Sequence, residues 1–191
     1  MKSLAKKYCC LLLALLLGVS FAPGRVWAHC DTMDGPTVAD GKKALESGNV
    51  NYALKWVSPQ NEKALRETFS LGMKVKDLSK EAKVLAERHF LSELVRLHRV
   101  GEGEPFQGVK PSGTPIDEKV LAADKSIALG NLSPLEKLME KDKLPELRER
   151  FEKVMALKRF NPDDVQAGRK YVEAYVRFFK FAEGEEGHHA H

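Results

Sequence analysis

The sequence predicts an all-α fold, a helical bundle made of two pseudo-symmetric halves. Apolar side chains recur at helical spacing, as at Leu65, Phe69 and Met73. No alternating β-branched run, the pattern typical of strands, occurs anywhere in the sequence. A long stretch of sequence also occurs twice, which indicates that the same helical unit is used in both halves.

The repeat aligns residues 37–77 with residues 119–159 without a gap, 82 positions further on. Gly48-Asn49-Val50 matches Gly130-Asn131-Leu132. Removing one residue near position 80 extends the match to the fourth helix, where Val95-Arg96 meets Val176-Arg177. Shared helical composition would not produce this long ungapped register, and the period is too long for a solenoid. The pattern therefore predicts an internal duplication.

Each half is predicted to contain four helical segments, which in the first half cover about 38–47, 50–57, 60–76 and 80–99. Gly48 suits a left-handed C-cap, and Ser79 is a good N-cap. The corresponding fourth helix of the second half is predicted to start at Asn161-Pro162, with proline at its first position. We expect the halves to pack through these aromatic-rich fourth helices.

The predicted organisation is a signal peptide (1–28), an N-terminal segment (29–36), a duplicated helical domain (37–182) and a flexible, histidine-rich tail (183–191). Within the domain, units 37–99 and 119–181 are joined by residues 100–118. This joining segment, rich in glycine and proline, has two interpretations. It is either a passive linker or an ordered loop, anchored through Phe106 and Val109, that lines a site.

Residues 1–28 have the three parts of an export signal. Lys2, Lys6 and Lys7 precede the apolar run 8–21, and Val26-Trp27-Ala28 provides a small-x-small cleavage signal. The run is shorter than the roughly 20 residues of a membrane span, so an uncleaved anchor fits less well. We therefore expect a periplasmic or secreted protein that begins at His29.

Charge counts exclude one class of partner for the processed chain. Four of the 31 basic residues lie in residues 1–28, which contain no acidic residue, so the remainder balance the 27 acidic residues. A formal charge of zero removes the electrostatic argument for nucleic acid or an anionic membrane as a partner.

Processing would also leave a single cysteine, Cys30, and no possible intramolecular disulfide. In an oxidising compartment such a thiol must pair between chains, be buried or bind something. Burial is harder to arrange beside a chain terminus.

The new N-terminus would offer a set of soft metal donors. The α-amine and Nδ1 of His29 can chelate an ion, Cys30 adds a thiolate, and Asp31 and Asp34 add carboxylates. Nitrogen with thiolate favours copper, nickel or zinc over calcium or magnesium. The alternative is a frayed terminus in which the histidine and cysteine are incidental.

His98 is the second candidate ligand. It aligns with Phe179 and shares a helical stripe with Leu91 and Leu94, so it should point inward. It is either a metal ligand that converges with the N-terminal segment or a core histidine satisfied by a backbone carbonyl. The tail histidines, His188, His189 and His191, either gather metal loosely or belong to a tag-like, incidental tail.

The His-Cys-Asp start, residues 29–31, is similar to the mature N-terminus of nickel superoxide dismutases. That family's metal hook has a second cysteine at the position of Asp34, so the resemblance lacks one thiolate. Copper histidine-brace proteins also use an N-terminal histidine, but on β-rich folds.

Over nearly the whole mature chain, the sequence resembles a family of uncharacterised secreted bacterial proteins. The shared motifs are His-Cys-Asp-x-x-Asp-Gly-Pro (29–36) and Arg-x-His-Arg-x-Gly-Glu-Gly (96–103). That resemblance implies no function.

These observations favour an exported helical protein that binds copper, nickel or zinc as a carrier or sensor. A small redox metalloenzyme and a metal-free structural or interaction module are the alternatives. No phosphate-binding loop, haem-attachment motif or zinc-protease motif occurs in the sequence.

Overall fold

The structure is a computed structural model that describes residues 29–184. The predicted signal peptide and the three tail histidines lie outside the described residues. The first half comprises α1 (Pro36–Ser47), α2 (Asn51–Leu54), a 3-10 turn (Pro59–Asn61), α3 (Glu62–Val75) and α4 (Lys80–Glu102). The second half comprises α5 (Glu118–Leu129), α6 (Ser133–Glu136), a 3-10 turn (Lys141–Lys143), α7 (Leu144–Leu157) and α8 (Val165–Glu183).

The all-α prediction is confirmed. Between residues 29 and 184 the only extended pairing is an isolated bridge that joins Thr32 to Lys110. The predicted stripe of α3 faces the core, where Leu65 and Phe69 are buried and Met73 packs against them. None of the helices in this part of the chain is both long and apolar enough to cross a membrane.

Local capping chemistry sets the helix ends. Ser79 accepts a hydrogen bond from the Ala82 N–H at 3.0 Å, and Gly48 ends α1 at a φ of 69°, both as predicted. The predicted start of α8 at Asn161-Pro162 is wrong, because the helix begins at Val165. Asp164 caps it by accepting from the Ala167 N–H at 2.9 Å.

Packing between the halves differs from the prediction. The most extensive helix-to-helix contact across them joins α2 to α8, not α4 to α8. Trp56, just after α2, lies edge-on to Tyr175 with ring centroids 6.1 Å apart. Arg169 of α8 donates to the Val57 carbonyl at 3.0 Å and pairs with Glu62 at 2.7 Å. The short second helix of the first half is therefore the first-half helix that has the most contact with α8, which otherwise packs on α7 and α5 of its own half.

The segment between the halves is a loop held against the fold. α4 continues to Glu102, and residues 103–117 then pass beside the N-terminal segment. The Lys110 N–H donates to the Asp31 carbonyl at 2.8 Å, and the Met33 N–H donates to the Lys110 carbonyl at 3.0 Å. Phe106 and Val109 pack against the core. Of the two interpretations of this segment, the anchored loop is the one observed.

Candidate metal centre

The N-terminal segment is folded into the protein. His29, Cys30 and Asp31 are all buried. The backbone N–H and the hydroxyl of Thr32 both donate to the His29 carbonyl, at 3.3 Å and 3.1 Å. A Cβ at Gly35 would lie 2.0 Å from that carbonyl oxygen, so only glycine fits there. We expected burial of Cys30 to be hard to arrange beside a chain terminus, and this expectation is wrong. The turn at residues 29–35 and the loop around Lys110 enclose the segment and bury the thiol.

The buried segment brings together polar side chains from α4, α5 and α8. We call this group the N-terminal polar cluster; its members are His29, Cys30, Asp31, His98, Arg99, Glu102, Asp124 and Tyr175. It has two branches, one through His29 and one through Asp31. Cys30 lies between them in the chain.

The first branch orients the His29 ring. Its Nε2 lies 2.6 Å from Oδ2 of Asp124, and the Tyr175 hydroxyl donates to Oδ1 of the same carboxylate at 2.7 Å. Burial and the Asp124 charge raise the pKa of Tyr175 well above its ordinary value, so the phenol remains a donor. Both ring nitrogens of His29 are buried and neither makes a hydrogen bond among the described residues: Nε2 has the close ion-pair contact with Asp124, whereas Nδ1 has no such contact.

The second branch neutralises a deeply buried guanidinium. Arg99, which is 2% exposed, donates to Oδ2 of Asp31 from Nε at 2.9 Å and from Nη2 at 2.7 Å. Its Nη1 pairs with Glu102 at 3.2 Å. Burial raises the pKa of Asp31, although the contact with Arg99 opposes that shift. The other carboxylate oxygen of Asp31 has no hydrogen-bond partner in the described part of the chain.

Cys30 is a protonated thiol in this environment. Burial raises its pKa strongly, and the Glu102 and Asp31 charges add to the shift. Arg99 and the Thr37 hydroxyl act in the opposite direction but are the weaker influences. The charge of Cys30 would in turn raise the pKa of Tyr175, so the thiol is electrostatically coupled to both branches. A thiol of this kind is a poor nucleophile at neutral pH.

His98 points inward, as its stripe predicts. Its Nδ1 lies 2.9 Å from the Trp56 carbonyl, which is the contact expected of a core histidine. Its Nε2 is buried 3.7 Å from Glu102 and makes no hydrogen bond within residues 29–184. One ring nitrogen is therefore satisfied, and the other faces the polar cluster.

Asp34, the remaining predicted ligand, lies outside the cluster. It is exposed and accepts hydrogen bonds from the Ser112 hydroxyl and from the Gly113 N–H, the latter at 2.8 Å. These contacts lower the pKa of its carboxyl group. In the structure Asp34 fastens the loop to the N-terminal segment.

Whether a metal fits this site depends on which buried donor atoms lack a hydrogen bond. Over the described residues, no three histidine, cysteine, aspartate or glutamate side chains are grouped as a metal site. Of the donors expected from the sequence, Asp31 is engaged with Arg99, and Asp34 is engaged with the loop. The remaining donors are the side chains of His29 and Cys30, together with the α-amine that processing would create. Unsatisfied buried atoms such as Nδ1 of His29 and Nε2 of His98 call for a partner. Their chemistry fits copper, nickel or zinc.

Sequence reasoning missed Asp124, Tyr175, Arg99 and Trp56. The repeat contains a signal for three of them, because Asp124, Tyr175 and Trp56 differ chemically from their counterparts Lys42, Leu94 and Leu138. Arg99 aligns with another basic residue, Lys180, and has no such signal. Where a core-facing position holds a polar or large aromatic residue in one half and a different kind of residue in the other, the side chain has a role that only one half needs.

Residues 34–181 match the model of one protein family, described as a family of unknown function (DUF6448). The chain belongs to this family, as its resemblance to uncharacterised proteins led us to expect. The matched region includes His98, Asp124 and Tyr175 but begins after Cys30. No curated protein matches the chain. No solved structure matches it either.

Proposed function

We propose that this member of a family of unknown function is an exported protein that binds copper, nickel or zinc through its processed N-terminus. Its role would be that of a carrier or sensor. The observation that carries the proposal is the His29 ring, whose Nε2 lies against Asp124 while its buried Nδ1 has no partner in the described residues.

This arrangement is the one that metal-binding histidines use. A ligating histidine almost always directs its second nitrogen to a carboxylate or carbonyl, which fixes the ring and its tautomer. Asp124 supplies that carboxylate, and Tyr175 in turn fixes Asp124. After cleavage at Ala28, the α-amine of His29 and Nδ1 can close a chelate ring on one ion.

Cys30 supplies the thiolate, at the cost of a proton. Because burial raises the pKa of the thiol, a metal must displace a proton that is firmly held. We therefore expect apparent affinity to rise with pH through neutrality. A soft ion that bonds strongly to sulfur offsets this cost better than a hard one.

His98 and Asp34 are possible additional ligands, and the structure supports them unequally. Nε2 of His98 is buried toward the cluster without a hydrogen bond in the described chain. Asp34 would first have to leave Ser112 and Gly113. We therefore rank His98 above Asp34.

The burial of the ligands favours a carrier or sensor over an enzyme. His29 and Cys30 are 7% and 4% exposed, and the Phe179 ring lies edge-on to His29 at 6.5 Å. Enclosed donors suit holding an ion more than presenting it to a substrate. The redox metalloenzyme remains the alternative that activity assays with defined metal loading would detect.

We also propose that the fold arose by internal duplication. Every element from α1 to α3 recurs 82 positions later with the same length, from α5 to α7. The ends of α4 and α8 differ by 81, which agrees with one deletion. An experimental structure in which the halves superpose with matched helix order would support this origin, and halves that do not superpose would contradict it.

The test of the metal site is a competition titration against a chromophoric chelator, using exported protein with its native N-terminus. We expect Cys30→Ser to weaken binding sharply, because a hydroxyl keeps its proton where a thiolate binds. Asp124→Asn should weaken it about 10- to 100-fold, because it removes the carboxylate charge that lies against Nε2 of His29 and orients the ring. Asp142→Asn, at an exposed carboxylate on the second 3-10 turn, is the matched control.

His98→Phe separates the two interpretations of that residue. It restores the residue of the other half, so the fold should tolerate it, and lower affinity would identify His98 as a ligand. If Cys30→Ser and Asp124→Asn bind metal as tightly as Asp142→Asn, the proposed site is wrong.

A further inference from the structure

We propose that the cleft between the two halves binds a small planar aromatic carboxylate. The cleft has a volume of about 310 Å³ and is lined by residues of α1, α2, α8 and the turn before α8. Small-molecule sites commonly span roughly 300–1,000 Å³. Both halves contribute to it, so it is a feature of the assembled fold. The proposal does not rest on the metal function.

Aromatic rings form most of the apolar wall of the cleft. Tyr171 and Tyr175 stack at 29° with centroids 6.2 Å apart, and Trp56 stands at 88° to Tyr175. Tyr52 and Phe160 complete this set. Flat faces and edges at these angles suit a flat ring, which can stack on one wall and meet another edge-on.

The charges on the wall favour an anion. Lys43, Lys55 and Lys158 line the cleft, whereas Asp40 is its single acidic residue. Asp40 is already engaged, because it accepts from the Trp56 indole N–H at 2.8 Å and pairs with Lys55 at 2.9 Å. The ammonium groups of Lys43 and Lys158 contact neutral groups, the Tyr52 ring and the Ile127 carbonyl. Two positive charges therefore remain for a carboxylate.

The same contacts argue against a cationic ligand. The Lys55 ammonium lies 5.2 Å from the Phe160 centroid and 6.0 Å from those of Trp56 and Tyr171. An aromatic cage of this kind attracts cations, but here the protein's own lysine occupies it. A ligand cation would also meet the other two lysines.

The experiment uses three probes of one shape on purified protein in excess chelator. The probes are benzoate, neutral benzamide and benzylammonium. Their binding is measured by calorimetry and by tryptophan fluorescence. We expect benzoate to bind saturably and to change the fluorescence, with the change absent in Trp56→Phe. Benzamide should bind at least about fivefold more weakly, the effect of losing one partly screened ion pair. Benzylammonium should not bind.

A matched pair of lysine variants tests the charge. Lys43→Gln should weaken benzoate about fivefold. Lys83→Gln, an exposed position on α4 away from the cleft, should leave affinity unchanged. Cys30→Ser should also bind benzoate normally, so failure of the metal site and failure of this site are distinguishable. Absence of saturable benzoate binding, equal binding of benzamide, or equal effects of the two lysine variants would overturn the proposal.

Discussion

At the scale of single residues, Arg99 sets the energetics of the N-terminal polar cluster. Taking a guanidinium out of water costs several kcal/mol, which only close and well-oriented acceptors offset. Asp31 supplies two of the hydrogen bonds and Glu102 another. The segment that carries the candidate metal ligands is therefore attached to the core by a buried ion pair.

Asp31→Ala should lower the free energy of unfolding by about 3–5 kcal/mol, because it leaves the charge of Arg99 buried without its main partner. Urea denaturation of the metal-free protein measures this. Asp34→Ala, which removes an exposed carboxylate three residues away, should cost much less. If the two variants lower the free energy of unfolding equally, the buried Asp31–Arg99 pair does not stabilise the fold.

The Cys30 thiol should make stability depend on alkaline pH. It holds its proton more firmly in the folded protein than in the unfolded chain, where it ionises near its ordinary pKa of 9.0. The contribution of the protonated thiol to the free energy of unfolding is therefore complete below pH 9. Above pH 9 the free energy of unfolding falls by up to about 1.4 kcal/mol per pH unit.

The measurement is denaturation at several pH values, with reductant and chelator present. Cys30→Ala should lack this part of the slope, together with the share of the Tyr175 pKa shift that comes from the Cys30 charge. Parallel stability curves for the two proteins above pH 9 would contradict the assignment.

Residues of the site were predictable where their signal is local. His29 and Cys30 stand together in sequence, and His98 is the polar residue on an apolar stripe. Asp124 and Tyr175 were not predictable in this way, because their contacts with His29 and with each other depend on tertiary packing. The position of Asp34 outside the cluster was not predictable for a related reason, since its partners Ser112 and Gly113 belong to a loop whose path the sequence does not determine.

At the scale of elements, helices were easier to predict than the contacts between them. Periodic apolar positions and Ser79 located α3 and α4 because both signals act within one or two turns. The start of α8 was predicted wrongly because Asn161 and Asp164 can both cap a helix. Asn161 bonds to the Asp163 N–H in a local turn, and this leaves Asp164 as the cap.

The N-terminal turn is the element most sensitive to a single methyl group. Gly35→Ala places a Cβ 2.0 Å from the His29 carbonyl oxygen, so the turn must open and release the buried segment. We expect lower stability and weaker metal binding, by thermal unfolding and competition titration.

Gly72→Ala is the matched control for that change. Its Cβ would meet nothing closer than 3.9 Å, and it lies within a helix, where alanine is favoured over glycine by roughly 0.5–1 kcal/mol. It should therefore stabilise the protein slightly. A Gly35→Ala protein as stable as Gly72→Ala would mean that the turn is not a tight constraint.

At the scale of the whole molecule, the N-terminal polar cluster lies where the two halves meet. Arg99 and His98 come from α4 of the first half, whereas Asp124 and Tyr175 come from α5 and α8 of the second. A metal held by His29 and Cys30 would bind the folded chain, where Asp124 orients the His29 ring, more tightly than the unfolded chain. It should therefore raise the unfolding temperature by an amount that grows with the logarithm of the affinity.

The proposed metal site requires the α-amine of His29 as a ligand, and one matched pair of proteins tests this requirement. One chain begins at His29 and the other retains Ala28, which converts the amine into an amide. Both end at Gly184, so that His188, His189 and His191 are removed. Circular dichroism should show equal helical content in the two chains.

The deciding measurement is the affinity and stoichiometry of Cu²⁺, Ni²⁺ and Zn²⁺ for each chain. We expect one tightly bound ion on the chain that begins at His29, and binding at least about tenfold weaker on the extended chain. Equal affinity and stoichiometry on the two chains, or no binding to either, would contradict it.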